Sequence, residues 1–193
     1  SVIITGLISA GPMITKRLRK SLRIKEGYFS RMNKVLVFGI NGFTGRHLQR
    51  YIVEEELLKD FSFWGVDVSI EKLIDINYIK LDLNNSGQAE RIILKTTPDY
   101  IINLAGILQG DFGRLMEINA EMPCKILDTI VRSGLSVKKV LLIGSAAEYG
   151  QAVELPVKED IPLDPVNYYG LSKAVQSVYA RFYVRNFGVN LNI

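Results

Sequence analysis

The sequence predicts an α/β fold, a doubly wound parallel sheet with helices on both faces. Three observations predict it. Short, continuous apolar runs alternate with longer helical stretches, the pattern of strands buried on both faces. The connections between them are short, as in consecutive βα units. A glycine-rich turn separates the first apolar run from the first helical stretch.

The elements follow in order. Val35-Leu-Val-Phe38 is the first strand, and Gly39 to Gly45 form a turn. A helical stretch then runs to about Lys59. Phe61 to Val66 reads as the second strand and Tyr78 to Leu81 as the third. A helix over Ser86–Lys95 leads to a strand over Tyr100–Leu104. A longer helix covers about Arg114 to Arg132, followed by the strand Val140–Ile143 and a loop. The proline-rich turn Ile161-Pro-Leu-Asp-Pro165 precedes a helix from about Tyr168 to Asn186. Val189 to Ile193 reads as the start of a sixth strand. The chain opens on Ser1 rather than Met and stops within that strand, so it reads as a fragment at both ends.

Bulk composition narrows the function classes. At 193 residues, 48% hydrophobic and 23% charged, the chain reads as one soluble globular domain. Its single cysteine, Cys124, rules out a disulfide framework and fits a reducing, cytoplasmic compartment. One cysteine and one histidine, His47, speak against a zinc site, and no metal is expected. The net charge of +4 is unevenly placed: residues 1–31 carry seven basic side chains against Glu26 alone, leaving 17 basic and 19 acidic residues in the remainder. That remainder has no basic stripe with interleaved aromatics, so nucleic acid is not an expected partner.

Residues 1–31 stand apart. Ser1 to Thr15 is apolar and Lys16 to Arg31 basic, the reverse of a secretory signal, and the apolar part is too short to cross a bilayer. No membrane association is expected. Met32-Asn-Lys-Val35 resembles a natural start just before the first strand. The preferred reading is an extension outside the fold, with a flexible tail or a targeting segment as alternatives, and a single folded domain over residues 32–193.

The chemistry-bearing residues lie where strands end. In Gly39-Ile-Asn41-Gly42-Phe43-Thr44-Gly45, the first glycine permits a tight turn and the second lets a pyrophosphate approach the backbone. The third lets the helix pack close, while its N-terminus offers N–H groups and a positive dipole end. Asp67 ends the second strand, 22 residues beyond Gly45, placed to accept hydrogen bonds from ribose hydroxyls and to repel a 2′-phosphate. Val68 and Ser69 follow rather than Arg, which favours NAD over NADP. Asp82, with Leu83 beside it, is an adenine-side candidate, and a turn cap is the plainer reading of an isolated Asp there. Asn103-Leu104-Ala105-Gly106 closes the fourth strand with small residues that leave room for a cofactor. Ser145 ends the fifth, followed by Ala146 and Ala147. No Gly-x-Ser-x-Gly elbow surrounds it, so a serine-hydrolase triad is not supported. Tyr169 and Lys173 stand four apart, on one face of a helix, where an ammonium favours the phenolate.

From Lys34 to Ile193 these residues resemble the extended short-chain dehydrogenase/reductase family, and within it the nucleotide-sugar epimerases, dehydratases and reductases. The resemblance includes Asn119 in the long helix and Glu148-Tyr-Gly150 after Ser145. It implies a Rossmann-type doubly wound sheet, truncated before a substrate-binding domain, and NAD as cofactor. It makes Tyr169 the acid/base, Lys173 its partner that also holds the nicotinamide ribose, and Ser145 a ligand of a substrate oxygen, with Ala146 and Ala147 beside it. Asn119 is carried over as a cofactor-site residue. It further implies a nucleotide-diphosphate sugar as substrate and a homodimer paired through the long helix and the tyrosine-bearing helix. The tract Leu155 to Pro165 looks most like the GDP-4-keto-6-deoxymannose reductases.

One departure sharpens the expectation. Sugar 4,6-dehydratases of this kind carry an acid two residues before the tyrosine of the Tyr-Gly pair, where this chain has Ala147; Glu148 comes one later and, in an extended segment, would face the other way. Hydride transfer with Tyr169, in a 4-epimerase or 4-keto reductase, is therefore the favoured activity. The alternatives are a 4,6-dehydratase and a non-catalytic nucleotide sensor or scaffold on the same fold.

Overall fold

A computed structural model describes residues 31–81, 87–151, 156–158 and 160–193. The extension expected over residues 1–31 therefore lies, apart from Arg31, outside the described residues, as do Asp82 and Leu83.

Six parallel strands form one sheet in the order β3-β2-β1-β4-β5-β6. They are β1 (Asn33–Phe38), β2 (Phe61–Asp67), β3 (Asn77–Lys80), β4 (Tyr100–Asn103), β5 (Lys139–Leu142) and β6 (Leu191–Asn192). This is the doubly wound order, and the direction of winding reverses between β1 and β4. At that reversal Phe38 is in register with Val66 on one side and Asn103 on the other, so three strand ends meet at one edge.

Alternation along β1 divides the core between the two faces of the sheet. Val35 and Val37 face helix α1 (Phe43–Glu54), with Ile40, Ile52 and Phe63. Leu36 and Phe38 face the opposite way, against the helices that follow β3, β4 and β5. These are α2 (Gln88–Thr96), the run α3 (Phe112–Met116) to α4 (Met122–Ser133), and α5 (Tyr168–Phe187). Among the described residues no helix is long and apolar enough to cross a membrane.

Two elements differ from expectation. The first helix stops at Glu54 rather than Lys59, because Glu56 adopts a left-handed backbone (φ 53°) and a short 3₁₀ turn, Leu57–Lys59, follows. The long helix is interrupted by a π-turn over Glu117–Glu121. Pro123, in the first turn of α4, has no N–H to give the carbonyl four residues back, that of Asn119, and the wider turn accommodates the missing bond.

Candidate active site

The site is built on the strand ends at the reversal. As β1 ends, the N–H groups of Gly39 and Ile40 both donate to Val66 O (2.8 and 3.3 Å), folding the turn over β2. Gly39 has φ +78°, and a Cβ there would lie 2.6 Å from the Ala105 backbone nitrogen. No other residue type fits both constraints. The close approach lets Leu104 N–H donate to Phe38 O at 2.9 Å, joining the ends of β1 and β4. A Cβ on Gly45 would fall 2.3 Å from the carbonyl oxygens of Gly39 and Ile40, so α1 can lie directly against the turn. Underneath, buried Gln49 donates to Ile40 O at 2.8 Å and accepts from Tyr78 Oη at 2.7 Å. Gly42 caps α1 without a side-chain hydrogen bond. The first-turn N–H groups are thus left for an anion, and Phe43 stands 77% exposed beside them, edge-on to His47.

Asp67 is tied to this turn. Its Oδ2 accepts from Asn41 N–H at 2.8 Å, and Oδ1 from Ser69 N–H at 3.4 Å. Sequence reasoning missed the residues around it. Asn41 Nδ2 donates to Glu71 O at 2.6 Å, Arg46 Nε donates to Asn41 O at 3.0 Å, and the Arg46 guanidinium pairs with the Glu71 carboxylate. Both side chains of that pair are half exposed, so it contributes about 0–1 kcal/mol. Its importance is spatial: an arginine beside the turn is already engaged by an acid.

The end of β4 is held from behind. Asn119 is fully buried on the π-turn. Its Oδ1 accepts from Ile107 N–H at 2.9 Å, and its Nδ2 donates to Ile107 O at 2.9 Å and to Ser172 Oγ at 3.1 Å. Ser172 Oγ in turn donates to Tyr169 O at 2.7 Å. Both amide hydrogens of Asn119 are therefore engaged with protein. Asn103 Oδ1 is buried and has no partner among the described residues.

After β5, Ser145 is extended and residues Ala146–Tyr149 form a 3₁₀ turn. Ser145 Oγ accepts from Ala147 N–H at 3.2 Å, and Glu148 Oε1 accepts from Ser145 N–H at 2.7 Å, a reciprocal capping box. The segment is therefore not extended, and Glu148 turns inward, 4% exposed, with Oε2 accepting from Ser177 Oγ at 2.5 Å. Helix α5 begins against this turn. Asn167 caps it by accepting from Gly170 N–H at 2.8 Å, and a Cβ on Gly170 would lie 2.4 Å from Ala147 O. That contact sets Tyr169 next to the Ser145 turn. Tyr169 is half-buried, and its hydroxyl makes no hydrogen bond among the described residues. Lys173, one turn on, is 5% exposed and donates to Gln176 Oε1 at 2.8 Å. Gln176 donates onward to Ile143 O at 3.1 Å. Burial pulls the Lys173 pKa down to about 8, opposed by the negative charge of Glu148.

Residues 35–193 match the profile of the NAD dependent epimerase/dehydratase family. The chain belongs to that family.

Within this epimerase/dehydratase family, the chain is 28% identical over 152 residues to UDP-glucose 4-epimerase of Lactobacillus helveticus, covering 72% of this chain and 44% of that protein. It is 27% identical over 143 residues to GDP-6-deoxy-D-talose 4-dehydrogenase of Aggregatibacter actinomycetemcomitans, covering 72% and 45%. Among solved structures, UDP-glucuronic acid 4-epimerase of Bacillus cereus in complex with NAD shares the fold (TM-score 0.69, 21% identity, covering 82% of this chain and 54% of that one). The chain thus spans a little under half the length of these two curated relatives.

Proposed function

We propose that this chain carries the NAD site and the proton-transfer residues of an enzyme that epimerises or reduces carbon 4 of a nucleotide-diphosphate sugar. The observation that carries the reading is the contact of the Ser145 turn with the start of α5. It brings the turn that carries the Ser145 hydroxyl against the first turn of the helix that carries Tyr169, after β5 of the same parallel sheet whose β1 leads into the glycine turn.

The protein groups suit NAD. The cradle at Gly39 and Gly42 leaves backbone where side chains would intrude, and the uncapped start of α1 supplies N–H donors for a pyrophosphate, with Asn41, Phe43, Thr44 and Gly45 contributing. Asp67 would take the adenosine ribose hydroxyls, with Arg46 withheld from a 2′-phosphate by Glu71, and NADP is the poorer fit. Leu104, Ala105 and Gly106 would flank the cofactor. Asn119, with its amide hydrogens engaged by Ile107 and Ser172, is assigned here to positioning that wall.

NAD, when bound, supplies the hydride acceptor and donor. Tyr169 exchanges the proton of the reacting sugar hydroxyl, with Lys173 one helical turn further along the same helix. Ser145 donates to the reacting oxygen, with its own oxygen already fixed by Ala147 N–H. Ala146 and Ala147 line the sugar side. Ala147, where a 4,6-dehydratase would need an acid, and Glu148, turned into the core, favour epimerisation or reduction over dehydration. The relatives include enzymes named for UDP- and for GDP-sugars, so the nucleotide is an outcome of the test below.

Helix α5 supports a homodimer. Leu171, Val175, Val178 and Phe182 follow one another at helical spacing, and Val178 and Phe182 are 55% and 52% exposed. They form an outward apolar stripe on a helix whose other face is already buried. A cytoplasmic setting fits the single free thiol, Cys124.

Titration with NADH, followed by energy transfer from Trp64, reads the binding half of this proposal. Saturable transfer is expected. Epimerisation of a UDP-sugar, or oxidation of NADH with a GDP-4-keto sugar, is expected from the full gene product. Binding without turnover of either would favour the sensor or scaffold, and no binding would overturn the reading.

A further inference from the structure

One buried carboxylate has no part in the chemistry proposed above. Glu148 has both oxygens in use as acceptors, from Ser145 N–H and from Ser177 Oγ. A buried carboxylate requires either a countercharge or a full set of donors. Ser177 lies one turn beyond Lys173 on α5, and Lys173 is itself buried.

The charge of Glu148 acts on that lysine, opposing the desolvation that destabilises its ammonium form. Other ionisable groups stand on the elements packed against α5. Arg114 pairs with Glu117, Lys125 with Glu121, and Arg132 with Asp128 and Glu90. Asp111 caps α3, and Tyr149 shares the turn with Glu148. Cys124 lies against Tyr183. Of all these, only Glu148 contributes to the shift at Lys173.

We propose that Glu148 is a positioning residue for the Tyr169–Lys173 pair: its buried carboxylate clamps the Ser145 turn onto α5, at Ser177, and sets a negative charge one helical turn from Lys173. Only the purpose of the pair rests on the function proposed above; the clamp rests on the hydrogen bonds of Glu148 to Ser145 and Ser177, which put its carboxyl one helical turn from Lys173. The same capping box that turns Glu148 inward also fixes Ser145 Oγ, so one turn sets both the hydroxyl and the charge behind the lysine.

The test is an NMR titration of the protein labelled with [13Cε]lysine, with Lys173→Arg assigning the resonance. Lys173 should titrate near pH 8 in the wild type. Glu148→Gln keeps an acceptor for Ser145 N–H and a polar partner for Ser177 but removes the charge, and should lower that midpoint. The double variant E148A/S177E moves the carboxylate to the other side of the same 2.5 Å contact and should restore the midpoint. An unchanged midpoint in a folded Glu148→Gln protein would overturn the proposal. Should that variant fail to fold, E148A/S177E decides: a wild-type midpoint supports the role, and a lowered one overturns it. Failure of the wild type to bind NADH would overturn the functional reading while leaving the lysine titration to decide this one.

Discussion

Asn119 Nδ2 donates to Ser172 Oγ at 3.1 Å, and through that bond the wall at the end of β4 is joined to the helix that carries Tyr169 and Lys173. The other bonds of the same amide hold both backbone groups of Ile107. Asn119→Leu would strand three buried or half-buried polar partners at once. Each lost partner costs on the order of 1–3 kcal/mol, with partial relief where water enters. The variant should therefore lose about 3 kcal/mol in urea denaturation and bind NADH at least about tenfold more weakly. Asn119→Asp keeps the acceptor for Ile107 N–H and should fall between. A Leu variant of wild-type stability would show that the two halves of the site need no such tie.

Tyr169 offers a cleaner separation of chemistry from binding. Its hydroxyl makes no hydrogen bond among the described residues, so Tyr169→Phe removes none there. Turnover by the full gene product should fall by about 10²–10⁴-fold, the usual worth of a positioned acid or base. The NADH dissociation constant should stay nearly constant. Equal loss of both would remove the acid/base role.

Much of this arrangement was legible in the sequence, because strand burial and turn chemistry are local signals. The apolar run at Val35–Phe38, the glycines after it and Asp67 land where the pattern put them, at adjoining strand ends. What was not legible involves partners distant in the chain or turns without Gly or Pro. Arg46 pairs with Glu71 across a loop, and nothing in the spacing announces it. The break after Glu54 falls at a glutamate with positive φ, a conformation more usual for Gly or Asn. Glu148 is the instructive miss. An extended segment would direct it away from the lysine helix, but Ser145-x-x-Glu148 is a capping-box pattern and predicts the turn that buries it.

Gly39 and Gly188 separate two costs that a glycine substitution can carry. Both have positive φ (+78° and +66°), but a Cβ at Gly188 meets nothing within 4 Å, whereas at Gly39 it meets the Ala105 backbone. Gly188→Ala should cost only the left-handed backbone penalty, about 1–2 kcal/mol. Gly39→Ala adds an overlap that no side-chain motion can relieve, and should exceed about 3 kcal/mol. Chemical denaturation of the two variants compares them directly. Equal losses would mean that the β1–β4 approach is softer than its hydrogen bonds imply.

The apolar stripe on α5 predicts an assembly change. Val178→Glu with Phe182→Glu places two charges on an exposed face and removes no buried group. Sedimentation should show a dimer in the wild type and a monomer in the double variant, with unchanged helical content. A monomeric wild type at tens of micromolar would set the dimer aside.

Lys173 predicts a pH-dependent stability of unusual sign for a lysine. Its folded pKa of about 8 lies below the unfolded value of 10.5, chiefly because burial penalises the ammonium. Below pH 8 both states hold the proton, and the folded state bears the full cost of a buried charge. Between about 8 and 10.5 the unfolded chain retains a proton that the folded one has released, so this group's contribution to stability rises with pH. Above 10.5 both forms are neutral and the deficit is gone. A shift of this size corresponds to roughly 3 kcal/mol at pH 7, part of which is offset because a replacement leaves Gln176 Oε1 without its donor. Lys173→Met should therefore raise the unfolding free energy at pH 7 by about 1–2 kcal/mol, and the gain should shrink steadily towards pH 10.5. Paired denaturation curves at pH 7, 8.5 and 10 measure it. A gain that is constant across that range would mean that the lysine is not buried as an ammonium, and that packing alone accounts for the difference.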